Sequence, residues 1–287
     1  MEIAIAKDVQ AEEREDPTRE GLIKRKWLLT GGAEDGLNFR LFRSQYQEGE
    51  KAFQSPRHHH AFQQIRWAES GSINFGPDQF IAEGDIAYFP RGAKYGPQLK
   101  DQGVSWLLQF GFGAELPGGK SAMDRYRADI EKLKGRGRIE DGIFVDIDSS
   151  TGNERRRNPA EVLAEDEAGT RAAVRPERYA APILMHTRAF DYYTVAPGVE
   201  MKRLGCFFDH CGPNSDVRIS MLRFARKTTF SLAPERAQLL WNTSGSLEVH
   251  GHAYPALTCL YSPRGEQLSL STPDGFEAIT IEFPHLD

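Results

Sequence analysis

His58 and His60 stand one residue apart in the run PRHHHAFQQIR, residues 56–66. Along an extended strand alternate side chains point the same way, so this spacing aims two imidazoles at one face and turns His59 to the other. Two such rings can hold a transition metal or move protons near neutral pH. Provided no bulge intervenes, Phe62, Gln64 and Arg66 share that face. If the face lines a barrel interior, a guanidinium there needs a counter-charge. Two sources are at hand: an acid of the chain, Glu69 or Asp85, or the carboxylate or phenolate of a substrate. Read without chemistry, the His pair is a solvated strand end or a polar lining. Trp67 and Trp241, of opposite parity, read as packing residues.

The elements that must position this face occur twice. QIRWAESGSI at 64–73 parallels QLLWNTSGSL at 238–247, an offset of 174, and YFPRG at 88–92 parallels YSPRG at 261–265, an offset of 173. Two matches in the same order predict two copies of one unit. Each copy is a series of short β-prone runs cut by Gly, Pro, Asn and Ser, which predicts an antiparallel barrel or sandwich. Residues 115–185 differ in texture. Met123, Tyr126, Ile130 and Leu133 mark one face of a helix that Gly135 would end, and Asn158-Pro159-Ala160-Glu161 would cap a second. The basic run Arg155–Arg157 reads as a solvated loop. The expected division is a flexible arm at 1–20, an N-terminal barrel with the candidate site at 21–114, a helical charged connector at 115–185 and a C-terminal barrel at 186–287.

Composition narrows the partners. The 287 residues carry 36 Lys plus Arg against 41 Asp plus Glu, a net charge of −5, which gives no pull toward nucleic acid or an anionic membrane. No apolar run approaches the roughly 18 residues of a spanning helix, and the N-terminal apolar patch is too short for a secretory signal. The 3 cysteines, Cys206, Cys211 and Cys259, form no CxxC or Cys/His zinc spacing. A reducing, cytoplasmic setting is expected, with a small molecule as partner.

The stretch PRHHHAFQQIRWAESG followed by GDIAYFPRGAKYGPQ resembles the two sequence motifs of the cupin superfamily. His58-x-His60, Gln64 and Gly71 keep the spacing of the first motif, and Gly84, Pro90-Arg91-Gly92 and Tyr95 that of the second. The resemblance covers nearly all the chain outside arm and connector. It implies a bicupin: an all-β-dominated chain of two jelly-roll barrels, with a homodimer as a common assembly. In metal-binding cupins the matching positions hold one divalent ion, which would carry over to His58, His60, Gln64 and Tyr95. Two of these depart from the family pattern, Gln64 from a glutamate and Tyr95 from a histidine. Gln64 offers a neutral carbonyl oxygen, and Tyr95 binds a metal only as phenolate, from a free pKa of ~10. One Fe, Cu, Ni, Mn or Zn ion, or no cofactor, therefore stays open. In the second copy the four positions map to Leu232, Pro234, Gln238 and Leu268, which predicts a degenerate barrel. His250 and His252 alternate there too, but on another strand.

Resemblance to metal cupins implies an oxidoreductase of the dioxygenase kind, acting on a phenolic, enolic or carboxylate-bearing substrate. The alternative needs no metal: Tyr95 as general acid and His58 or His60 as base would run an isomerisation, cyclisation or elimination. A non-catalytic small-molecule-binding cupin is the third. Arg66, Gln64 and Phe62 contact the substrate in each enzyme reading.

Overall fold

The β-prone runs become strands close to where the sequence places them. The computed structural model describes residues 1–14, 19, 21–46, 52–99, 101–112, 116, 119–140, 142–159, 162–163, 166, 178–210 and 212–286. Two units emerge: Met1–Gln10 with Lys26–Phe42 and Met185–Asp287, and Ala11–Arg25 with Arg43–Leu184. The division runs through two strands, Ile23–Gly31 and Leu37–Tyr46, whose local sequence says nothing about which sheet each end joins.

In the unit that holds the candidate residues, the strand Gln63–Gly76 pairs antiparallel with Gln79–Ala82, Ile86–Phe89 and Gln102–Phe112. Its core is aromatic, built from Tyr46, Phe53, Phe75, Phe89 and Tyr95 with Ile23, Ile73 and Ile81. The other unit has a seven-stranded sheet ordered Glu2–Ile5, Thr258–Ser262, Gln238–Gly245, Phe276–Glu282, Asp216–Phe224, Val199–Phe208 and Tyr193–Ala196. A four-stranded sheet accompanies it, and its core is mainly aliphatic: Val199, Leu222, Leu232, Leu240, Leu247, Leu260, Leu268 and Leu270.

The repeat is visible in the hydrogen bonds. His58 faces Tyr95 across an antiparallel bridge, and Leu232 faces Leu268. Gln64 lies opposite Phe89 as Gln238 lies opposite Ser262. Gly92 N–H donates to the His60 carbonyl at 2.9 Å, and Gly265 N–H to the Pro234 carbonyl at 2.8 Å. Gly71 and Gly245 both take positive φ, 73° and 79°. Backbone carbonyls crowd both positions, so a side chain would clash as well as strain the turn.

Three expectations need correction. Residues 2–5, placed in a flexible arm, form a strand in register with Thr258–Ser262, with Ile3 packed on the aliphatic core. Burying that side chain outweighs the pull of the charged residues that follow. Residues 115–185 are not only helical. The helix Gly119–Lys134 ends before Gly135 as expected, and Ile130 and Leu133 are buried against Phe144 and Val162. The side chains of Met123 and Tyr126 lie outside the described ones. A three-stranded sheet, Arg138–Glu140, Ile143–Ile147 and Glu154–Arg157, follows the helix. Arg155–Arg157, expected in a loop, is thus a strand whose charges meet Asp146 and Glu140. At the second expected helix Val162 N–H reaches the Asn158 carbonyl, and residues 160–161 lie outside the described ones.

No described helix is long and apolar enough to cross a membrane. Cys206 and Cys259 are free thiols, and Cys211 lies outside the described residues. His250 occupies a tight turn at φ 51°, with His252 opening the return strand opposite Val249.

Candidate functional site

Alternation along Gln63–Gly76 sends Gln64 and Arg66 to the barrel interior, 1 % and 4 % exposed. The second side of the site comes from the His58–Tyr95 bridge, where each residue's N–H donates to the other's carbonyl at 2.9 Å. Gly96 lets that bridge close. A Cβ on it would lie 2.9 Å from the Pro56 carbonyl oxygen, and its φ is +100°. The chain does not run as one unbroken strand from His58 to Arg66: Ala61 and Phe62 form a bend, and the strand begins at Gln63.

Four of the expected side chains meet at one atom. The Tyr95 hydroxyl, on a residue 4 % exposed, lies 2.8 Å from Arg66 Nη2, 3.0 Å from Gln64 Nε2 and 3.0 Å from His58 Nε2. The Pro56 carbonyl lies 2.7 Å from His58 Nδ1, and a carbonyl can only accept, so Nδ1 carries the proton. His58 Nε2 is then an acceptor in the neutral ring and takes the Tyr95 proton. Arg66 and Gln64 donate into the same oxygen. Gln64 Oε1 is turned away, accepting from Gln109 Nε2 at 3.2 Å and Arg66 Nη2 at 3.4 Å.

His60 and Phe62 form an outer, half-buried part. The His60 ring stacks on Phe62 at 4.6 Å and stands edge-on to His58 at 5.0 Å. His59, expected on the surface, is half-buried.

Arg66 is the least satisfied group. Its guanidinium packs 4.4 Å from the Phe89 ring centroid and 5.0 Å from that of Tyr95, while Nε and Nη1 are buried without a hydrogen-bond partner. Neither acid expected from sequence is seen to pair with it. Glu69 forms a bidentate pair with Arg43 at 2.6 Å and accepts from Trp106 Nε1. The carboxyl whose field reaches Arg66 is Asp101, held by the Asn74 N–H at 2.6 Å and by Gln98 Nε2 at 3.2 Å. Burial pushes Asp101 up to about 7, against the lowering effect of Arg66. Burial and Asp101 together push Tyr46 up to about 12.

Sequence reasoning missed Asp101, Gln109 and Arg19, whose Nη2 lies 3.1 Å from His58 Nε2. Gln109 faces Gln64 across paired strands, which local alternation does not reveal.

A divalent ion does not fit this donor set as arranged. A second cation beside His58 Nε2 and the Tyr95 oxygen would meet the guanidinium nitrogens of Arg19 and Arg66 at hydrogen-bond distance. Gln64 turns its amide nitrogen, not its oxygen, toward Tyr95. Among the described residues no three His, Cys, Asp or Glu side chains group to hold a metal.

No protein-family model and no curated protein sequence matches this chain. Solved structures do. A "putative dioxygenase" from Nostoc punctiforme is similar over 99% of this chain and 83% of its own, with a TM-score of 0.62 at 12% identity. Oxalate decarboxylase from Lactobacillus farciminis, in a formate complex, matches over 99% and 86%, with a TM-score of 0.56 at 9% identity. A variant of the Bacillus subtilis oxalate decarboxylase matches over 99% and 78%, with a TM-score of 0.53 at 13% identity. The fold is therefore the antiparallel, β-dominated jelly-roll fold of these cupin neighbours. Likeness at such identities carries the fold alone.

Proposed function

We propose that this chain is a bicupin enzyme whose N-terminal barrel catalyses a proton-transfer reaction, an isomerisation, cyclisation or elimination, on a small organic acid. In this reading the C-terminal barrel is a degenerate copy that has exchanged a polar interior for an aliphatic one. The observation that carries the proposal is the Tyr95 oxygen, which accepts from Arg66 and Gln64 and gives its proton to His58 Nε2.

Each part follows from elementary chemistry. Arg66 Nε and Nη1 are buried donors that lack acceptors, a costly state that a carboxylate would relieve through two charge-assisted bonds. An acid held there sits beside the Tyr95 oxygen. His58 takes the phenol proton, and Arg66 and Gln64 stabilise the charge left behind. The phenolate oxygen then removes a proton from the substrate carbon next to its acid group. Tyr95 returns that proton to another carbon in an isomerisation, or to a leaving group in an elimination, and His58 gives back its own. Electrons and protons balance without an oxidant. The aromatic walls of Phe89 and Tyr95 keep water from the exchange.

The dioxygenase reading of the cupin resemblance would route catalysis through a metal, and the two guanidinium groups beside the donors weigh against it. Elemental analysis of protein purified without tag or chelator separates the two. The proposal expects no stoichiometric transition metal, and solvent deuterium entering the carbon next to the acid group of a turned-over substrate in the presence of a chelator. One equivalent of Fe, Cu, Ni, Mn or Zn, lost in the His58→Ala/His60→Ala variant, would overturn it.

A further inference from the structure

Given that Arg66 holds an acid, as proposed above, we infer that Asp101 is the counter-charge of Arg66 before that acid arrives. The substrate carboxylate replaces it in that role, so each acid binds together with a proton, which Asp101 receives from solvent.

Asp101 and Arg66 are buried in the same barrel, yet they do not pair. Asp101, 3 % exposed, precedes the strand Gln102–Phe112, and its two oxygens accept from the Asn74 N–H at 2.6 Å and from Gln98 Nε2 at 3.2 Å. Both donors are neutral amides, and among the described residues no cation joins them. Asn74 stands on the strand that carries Arg66. Gln98 stands in one antiparallel register with Tyr95, since Ser55 faces Gln98 as His58 faces Tyr95. Arg66 Nε and Nη1, for their part, are buried without a hydrogen-bond partner. The carboxyl and the guanidinium therefore act on each other through space and not through a bond. Arg19 and Tyr46 also face Asp101, and Tyr46, pushed up to about 12, stays neutral near pH 7.

A buried carboxyl fixed only by neutral amides keeps its charge against desolvation, and the field of Arg66 helps to sustain it. Burial pushes Asp101 up to about 7, so near neutral pH a modest change in field decides its proton. A carboxylate seated on Arg66 cancels that positive field and adds a negative charge in the same interior. Asp101 then takes a proton, and the net charge inside the barrel stays as it was. The liganded form holds this proton to higher pH than the free form. Affinity for the acid is thus greatest below about pH 7 and falls as pH rises above it. An uncharged ligand leaves the field of Arg66 in place, so Asp101 makes the site respond to charge.

Calorimetric titration with butyrate and benzoate, in two buffers of different protonation enthalpy, tests this. At pH 7.5 an uptake of about half a proton or more per acid is expected, with affinity falling about fivefold or more from pH 6.5 to 8.5. Butyramide, matched to butyrate in size but uncharged, should bring no proton with it. Asp101→Asn, which mimics the protonated carboxyl, should abolish the uptake and flatten the pH profile. It should also bind butyrate about fivefold or more tightly than the unaltered protein at pH 8.5. Difference infrared spectra at pH 7.5 should show a carboxylate band lost and a carboxylic acid band gained on binding. Protonation of His58 or His60 gives no such signature, and it is read in the unaltered protein even where the variant does not fold. Binding without proton uptake overturns the inference and leaves the Arg66 reading standing. So does uptake that survives Asp101→Asn, comes without the carboxylic acid band or appears with butyramide. Failure of both acids to bind overturns both readings.

Discussion

His58 and Tyr95 face each other across the same antiparallel bridge that joins Leu232 to Leu268 in the other half of the chain. One backbone arrangement thus presents a buried imidazole–phenol pair in one barrel and two leucines in the other. The neighbouring turns keep equivalent hydrogen bonds, although His58–Tyr95 is an isolated bridge and Leu232–Leu268 ends a five-residue ladder.

Replacing Tyr95 by Phe removes the one oxygen that Arg66, Gln64 and His58 share. Turnover is expected to fall by about a hundredfold or more. Stability should drop by about 1–3 kcal/mol, since the buried donors of Arg66 and Gln64 lose an acceptor. Steady-state kinetics beside urea melts give both numbers. Activity falling only in step with the folded fraction would make Tyr95 a structural residue.

Arg66→Met should separate function from stability. The change removes a buried charge with two unpartnered nitrogens and keeps a side chain of comparable length. Unfolding at pH 7 is expected to cost the same or up to about 3 kcal/mol more than in the unaltered protein. Binding of small acids should be lost. Chemical denaturation and calorimetry check the two halves, and strong destabilisation would show that Arg66 serves mainly as the partner of Asp101.

Asp101 predicts a pH dependence. Burial holds its folded value near 7 against an ordinary 3.8, so the folded chain binds this proton more tightly than the unfolded one. Folding then takes up a proton between about pH 4 and 7, and the contribution of Asp101 to stability declines as pH rises through that window. Asp101→Asn should abolish that component. Melting temperatures of both forms from pH 4 to 8 should diverge on the alkaline side, with the variant gaining on the unaltered protein. Parallel curves would mean that the carboxyl is ionised throughout.

The other unit offers a control far from this chemistry in sequence. Arg236 donates to Asp216 at 2.5 Å, and both side chains are buried. Burial pushes the Asp216 carboxyl up, but hydrogen bonds from Cys206, Arg236 and Arg218 outweigh it and hold it well below the usual range. Arg236→Met takes one of two guanidinium partners from a buried carboxylate that Arg218 still holds at 2.6 Å, and is expected to cost about 1–3 kcal/mol. Acid binding at Arg66 should persist wherever the variant remains folded, as titration below its melting temperature would show.

The sequence by itself determined the β-rich class, the two copies and the interior face shared by Gln64 and Arg66. These depend on period-two alternation and on turn residues such as Gly71 and Gly245, which act over a few positions. It also brought His58, Gln64 and Tyr95 together, through motif spacing and resemblance. What each residue does there was decided only by tertiary structure. The Pro56 carbonyl sets the His58 proton, Gln109 turns the Gln64 amide, and Asp101 stands as the nearby acid where Glu69 or Asp85 was expected. Arg19 enters from a segment whose composition suggests only a solvated arm. The strand at residues 2–5 pairs with Thr258–Ser262 for the same reason. Local sequence sets which way a side chain points along its own strand, whereas its partners across the barrel depend on which strands become neighbours and in what register.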